Sequence, residues 1–268
     1  MEKSRGFTLI ELLVVIAIIA LLMAILMPSL QRVKNQSKAV ACQSNLHQWG
    51  LMFSMYTDDN NGYFCTAGVK GAMWISAMRP YHSEPKLRLC PMATKPAVLR
   101  DGVKPVGDKF IAWGRFKSSE EHRLMGGECG SYGINAWVYN PPPKRGVFMT
   151  HPTTPNWRSS NVKGTANIPL FLDCTWIGSS PEPFDNPPAY DGDSWVKLGG
   201  SSMKRFCINR HDGFINGVFL GSSVRKLGLK ELWELKWRRE YDTSGAWTTQ
   251  GGCRPDDWPT WMRSFKDY

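Results

Sequence analysis

The sequence predicts an α+β fold: a long N-terminal helix packed on an antiparallel sheet, with loop-rich insertions. Three observations lead there. An apolar run near the N-terminus passes into a polar stretch whose apolar residues recur every three or four positions. Short apolar segments separated by Asp-Gly and Gly-Ser pairs then mark strands and tight turns near the C-terminus. Between these regions, residues 63–204 are rich in Pro, Gly and Trp and carry only brief apolar runs.

The first element begins after a polar leader, MEKSR. Residues 6–27 read GFTLIELLVVIAIIALLMAILM, with one charge, Glu11, inside the run. As a helix, residues 7–27 rise about 1.5 Å each and span roughly 30 Å, the thickness of a bilayer core. A carboxylate in hydrocarbon is costly, so Glu11 calls for a partner or a function. A secretory signal has a shorter apolar core, with its cleavage site after the core. Here the glycine precedes the run. A plain single-pass anchor explains the length but neither Glu11 nor Gly6-Phe7.

Beyond Pro28 the residues Val33, Cys42, Leu46, Trp49, Phe53 and Tyr56 mark one helical face. The spacing predicts one helix over about 7–57, kinked or loosened at Pro28, where a backbone hydrogen bond is lost. Its second half should lay its apolar face on the globular domain, 58–268. Asp58-Asp59-Asn60-Asn61-Gly62 supplies the stop. Within the middle region, strands are expected at 73–77, 132–138 and 168–176, and prolines at 141–143, 152–155 and 181–188 mark loops. Asp212-Gly213 between apolar runs suits a two-residue turn with positive φ at both positions. With Gly221-Ser222 it predicts a three-stranded meander over 205–227. Residues 229–239 then suit a short helix with Leu229, Leu232, Trp233 and Trp237 inward.

The leader and first turns, Gly6-Phe7-Thr8-Leu9-Ile10-Glu11-Leu12-Leu13, resemble those of type IV prepilins and type II secretion pseudopilins. The resemblance covers about the first fifth of the chain. It implies a pilin-like fold and cleavage by a prepilin peptidase between Gly6 and Phe7, with N-methylation of Phe7. It implies pairing of Glu11 with the Phe7 amine of a neighbouring subunit, and a helix proline, matched by Pro28. A buried acid and a buried ammonium are each expensive alone and tolerable together. The implied partners are the peptidase, other pilin or pseudopilin subunits, an assembly ATPase and its inner-membrane platform. The implied role is structural, not enzymatic. A second resemblance lies further on. Many prepilin-like proteins carry a histidine, nine residues, then Asp-Gly. Arg210-His211 and Phe219-Leu220 stand in place here, while Gly221-Ser222 replaces the Asp-Gly.

Lys3 and Arg5 precede the span, so a single pass through the inner membrane with the N-terminus cytoplasmic and the C-terminal domain periplasmic is expected, and the resemblance implies a periplasmic or surface filament as the assembled form. An exported domain permits disulfides. The seven cysteines are Cys42, Cys65, Cys90, Cys129, Cys174, Cys207 and Cys253. An odd number leaves at least one free or paired between chains, and Cys42, on the helix, is the candidate. No cysteine pair has C-x-x-C spacing, so the spacing points to no metal cluster. The net charge is +10, and losing Glu2, Lys3 and Arg5 with the leader makes it +9. The cations are mostly scattered, so nucleic-acid binding is not expected.

Other residues that could carry chemistry are few. His211 reads first as an imidazole bonding the turn backbone. Calcium takes several carboxylate oxygens, and Asp185, Asp191 and Asp193 in FDNPPAYDGDS are the candidates, although any exposed loop uses such residues. No other cofactor is expected. Of twelve tryptophans, Trp49, Trp176 and Trp233 suit the core. Trp195, Trp247, Trp258 and Trp261 lie in loop-like sequence. Gathered on the surface, they would make a polysaccharide- or polymer-binding module on a pilin-like stalk, the alternative reading.

Overall fold

A computed structural model describes residues 8–66, 73–97, 106–114, 128–142, 153–194 and 200–268. The chain divides into two units, Met1–Lys38 and Ala39–Tyr268. Helix α1, Leu9–Asp59, begins in the first and ends in the second, two residues beyond the predicted stop. Its sequence changes character along the way. Leu9, Ile16, Leu22 and Leu30 are all exposed, as is Val33, which the periodicity had placed on the inward face. Burial begins at Ala39 and continues through Cys42, Leu46, Trp49, Gly50, Met52, Phe53 and Thr57. That three-to-four spacing is the stripe of a helix with one face in a core.

In the second unit this face packs on a five-stranded sheet ordered β5-β3-β4-β6-β7. The strands are β3, Tyr132–Asn135; β4, Pro169–Asp173; β5, Gly178–Ser179; β6, Phe214–Phe219; and β7, Val224–Gly228. Two short strands, β1 (Lys95–Pro96) and β2 (Ile111–Ala112), pair in parallel elsewhere. Trp49 and Phe53 meet Phe171 of β4 at ring separations of 5.8 and 5.9 Å. Gly50 lets the helix approach β6 closely: a Cβ there would lie 2.8 Å from Val218 Cγ2. Trp49 is fully buried, stands edge-on to Trp74 at 5.0 Å and donates its indole N–H to the Leu87 carbonyl at 2.9 Å.

The sheet is mixed, not purely antiparallel as predicted. β3 pairs with β4 antiparallel and with β5 in parallel. The chain leaves β4, crosses over β3 in four residues and pairs on its far side. Gly133 makes so short a crossing feasible. A Cβ there would come within 2.5 Å of the Trp176 carbonyl oxygen and 2.7 Å of Cys174 Sγ.

Three further expectations are corrected. Residues 73–77 form helix α2, Trp74–Ala77, not a strand, and Trp74 anchors it by donating to the Ile177 carbonyl at 2.7 Å. No strand forms over 205–211. A 3-10 turn at Ser202–Arg205 leads instead into short local hydrogen bonds, Ile208 to Phe206 and Arg210 to Ile208. The meander is therefore the two-stranded β6-β7 hairpin, with Ser222 at φ 62° in its turn. Asp212 and Gly213 do take positive φ, 56° and 84°, and the His211 N–H closes that turn on the Phe214 carbonyl. The helix after β7 is a 3-10 segment, Lys230–Glu234, shorter than 229–239. Leu229, Leu232, Trp233 and Trp237 are all buried, as read from the spacing.

Asp185 is buried beneath this C-terminal layer. Its carboxylate accepts from the backbone N–H groups of Glu182 and Met203, and the Trp233 indole donates to its carbonyl. Burial outweighs those hydrogen bonds and raises its pKa to about 6. The folded state thus holds this proton more tightly than the unfolded state does. Asp185 therefore favours folding most when protonated, below about pH 4, and loses that contribution as pH rises towards 6.

Two predictions follow from these packing facts. Trp49→Ala should cost about 3–5 kcal/mol in denaturant unfolding of the purified chain, and Trp49→Phe, which orphans the Leu87 carbonyl, about 1–3 kcal/mol. For Asp185→Asn, the stability advantage of wild type over variant should shrink by up to about 3 kcal/mol between pH 4 and 7. Unfolding curves at matched pH values check both.

Candidate functional site

The first site is the N-terminal part of α1. Gly6 and Phe7 lie outside the described residues. Glu11 sits in the first turn, where its Oε2 accepts from the Thr8 N–H at 2.8 Å and the Thr8 hydroxyl at 2.7 Å. The Glu11 N–H points back to Thr8 Oγ1 at 3.3 Å. This reciprocal pair is a capping box, which satisfies donors at the start of a helix. The Thr8-x-x-Glu11 pattern that signals it stands in the sequence, and this capping role adds to the readings of Glu11 as an intramembrane acid and as a partner of the Phe7 amine. From Leu9 to Met27 the large apolar side chains are exposed on every face of the helix, and this stretch is long and apolar enough to cross a membrane. Pro28 lies inside a helix that stays continuous through it. Proline offers no N–H to the Ala24 carbonyl. One position on, the Ser29 hydroxyl donates to the Leu26 carbonyl at 2.8 Å.

The second site is buried in the globular unit. Arg210 and His211 converge on Asp173 at the end of β4. Arg210 Nη1 lies 3.0 Å from Asp173 Oδ1, and both side chains are fully buried. Nη1 also donates to the Ser131 carbonyl, and Nε and Nη2 donate to the carbonyls of Lys109, Asp108 and Cys174. His211 Nε2 lies 3.1 Å from Asp173 Oδ2 and 3.5 Å from Cys90 Sγ. The imidazole thus faces a carboxylate and a thiol, while the turn is closed by the histidine's backbone N–H. The Asn216 N–H donates to Asp173 Oδ2 at 2.9 Å, and Cys42 Sγ lies 3.6 Å from the same oxygen. Tyr132 donates to Cys42. Burial would raise the Asp173 pKa, but the charges of His211 and Arg210 hold it well below the ordinary carboxylate range. Burial would lower His211, but the Asp173 charge and hydrogen bond carry it to about 9. Burial raises the Cys42 thiol strongly; hydrogen bonds from Cys42 and His211 overcome the same effect at Cys90 and bring it to about 7.

All seven cysteines are free thiols in the structure. Sequence spacing gave no sign that Cys42, Cys90, Asp173 and His211 would meet, because each comes from a different segment. Among the calcium candidates, Asp185 is engaged by backbone as described, Asp191 pairs with Lys109 at 2.7 Å and Asp193 with Lys204 at 2.6 Å. The loop tryptophans do not gather on the surface. Trp258 is buried between Trp233 and Trp247, at 5.3 Å from each, and Trp261 packs on Phe265 with its indole donating to the Pro188 carbonyl. Trp195 lies outside the described residues. The exposed aromatic patch that a polymer-binding module requires is therefore not formed by the described tryptophans.

Comparison with known proteins agrees with the first site. The family model described as the prokaryotic N-terminal methylation motif matches residues 1–27. The type IV wide pilus major component PilA4 of Thermus thermophilus is 43% identical over 63 residues, which are 24% of this chain and 48% of that relative. The chain thus spans about half the length of the curated relative it matches. No solved structure matches the chain. The chain thus carries a prokaryotic N-terminal methylation motif at residues 1–27, on a long apolar helix that runs onto an α+β domain, and over part of its length it is similar to a type IV pilin.

Proposed function

We propose that this chain is a structural subunit of a type IV pilus-like or type II secretion filament. The observation that carries this reading is the match of residues 1–27 to the methylation motif, on a helix whose apolar residues are exposed all round. A prepilin peptidase cuts after Gly6, and the new N-terminus at Phe7 is methylated. Before assembly the protein spans the inner membrane once, with Lys3 and Arg5 on the cytoplasmic side and residues 58–268 in the periplasm. An assembly ATPase and its membrane platform then move it into the filament. The likeness to a wide-pilus major component favours a pilus over a secretion apparatus.

The energetics of assembly suit this reading. Moving residues 7–27 from lipid into a bundle of like helices exchanges one apolar environment for another, so packing and polar contacts set the outcome. Glu11 supplies the polar contact. Its Oε2 is held by Thr8, which fixes the carboxylate at the first turn of the helix. There it can receive the Phe7 ammonium of the next subunit, and the pair cancels two charges that neither lipid nor a dry filament core tolerates singly.

Intact mass and N-terminal sequencing of the protein from native membranes should find a chain starting at N-methylated Phe7. A chain retaining Met1–Gly6 would contradict the proposal. Glu11→Gln should leave insertion and cleavage intact and reduce incorporation into sheared filaments at least tenfold, the equivalent of about 1.4 kcal/mol. Unchanged incorporation would remove Glu11 from the assembly step.

A further inference from the structure

The buried group around Asp173 has a property that neither the prepilin motif nor assembly uses. Cys42 Sγ, Cys90 Sγ, an Asp173 carboxylate oxygen and a His211 ring nitrogen all lie within 4.8 Å of one another, and among the described residues this is where metal-ligating side chains converge. We propose that these four residues form a structural metal site for a tetrahedral, thiolate-preferring divalent ion, zinc being the best match.

The separations fit. Zinc binds sulfur at about 2.3 Å and nitrogen or oxygen at about 2.0–2.2 Å. In a tetrahedron the ligands then stand about 1.6 bond lengths apart, roughly 3.3–3.8 Å. The structure has 3.5 Å from Cys90 Sγ to His211 Nε2, 3.6 Å from Cys42 Sγ to Asp173 Oδ2 and 3.1 Å from His211 Nε2 to Asp173 Oδ2. Three of the six edges thus lie within about 0.2 Å of the tetrahedral range, and no edge exceeds 4.8 Å. Two thiolates and an imidazole select zinc over the hard cations that prefer oxygen.

Charge and surroundings also fit. Two thiolates, one carboxylate and a divalent ion sum to −1, and the fully buried Arg210 guanidinium beside Asp173 brings the assembly to neutrality. Neutrality matters at a buried site, where an uncompensated charge is expensive. Outer hydrogen bonds orient the ligands: Arg210 and the Asn216 N–H hold the carboxylate, and Tyr132 contacts Cys42. Partners of this kind support metal ligands in general. The four ligands come from α1, the segment after the 3-10 turn Pro85–Arg88, the end of β4 and the turn before β6. A bound ion would therefore clip the helix to the sheet. Each thiol gives up its proton to solvent on binding, with no change of oxidation state.

The test uses the full-length chain from native membranes in detergent. Metal analysis should find one zinc per chain. After chelation, cobalt(II) should produce the visible bands of a tetrahedral ion and a thiolate charge-transfer band, saturating at one equivalent, with zinc displacing it. Chelation should lower the Tm and zinc restore it. Cys42→Ser and His211→Ala should lose the cobalt spectrum, whereas Cys253→Ser should keep it. Because loss of a buried ligand can itself unfold the domain, the unaltered chain decides. Absence of both zinc and the cobalt spectrum overturns the proposal. So does a Cys42–Cys90 disulfide in the native protein, seen as a mass lower by two hydrogens and loss of thiol reactivity at both residues. A spectrum that persists in folded Cys42→Ser would place the metal elsewhere and equally overturn it.

Discussion

The globular unit is organised by one demand: Asp173 carries a charge with no access to solvent. An isolated ionised carboxylate cannot be buried cheaply, so its neighbours must neutralise and hydrogen-bond it. Arg210 supplies the opposite charge, and His211 and the Asn216 N–H supply further contacts. Each contact joins separate pieces of chain. Arg210 ties the segment before β6 to residues 108–109, to Ser131 before β3 and to the end of β4. Asn216, on β6, also reaches α1 by bonding Gln43 and the Ala39 carbonyl. The helix, strands β4 and β6 and the segments around residues 108–109, 131 and 210 thus share one buried polar centre.

A second constraint acts along α1, where one continuous helix meets two environments. Residues 9–27 are apolar on all sides, which suits lipid or a bundle of like helices and gives no preferred face. From Ala39 onward a single face is buried. Pro28 lies between the two regimes. The capping box of Thr8 and Glu11 lets the helix start cleanly, and the same carboxylate is then placed at the end of the helix where a processed N-terminus would lie. One residue thus serves local structure and, in the proposed filament, recognition of the next subunit.

Much of this was legible in the sequence, because the signals were local. The apolar run, the buried face from Cys42 to Phe53 and the positive φ of Asp212-Gly213 all follow from neighbouring residues. What stayed hidden was non-local. The parallel pairing of β5 depends on Gly133 admitting a crossing segment, which no window around Gly133 reveals. Residues 205–211 have the composition of a strand, but the chain there is arranged to deliver Arg210 and His211 to Asp173. The convergence of Cys42, Cys90, Asp173 and His211 joins positions up to 169 residues apart. Spacing rules that find metal sites within one loop have nothing to detect in such a group. The Arg210-His211 half of the C-terminal motif now has a physical role as the partner of a buried acid. At the other half, Gly221-Ser222 forms the β6-β7 turn, with Ser222 in the left-handed region that the Asp-Gly pattern would give to glycine.

The most direct test of this account is a double-mutant cycle on Asp173→Asn and Arg210→Met, read by denaturant unfolding of the purified full-length chain. If the buried charge organises the domain, each single variant should cost about 3–5 kcal/mol, because each leaves an uncompensated group in the core. The double variant should then cost far less than the sum. Single costs near zero, or effects that add to within about 0.5 kcal/mol, would show that the two groups are not coupled and that the domain does not depend on the pair.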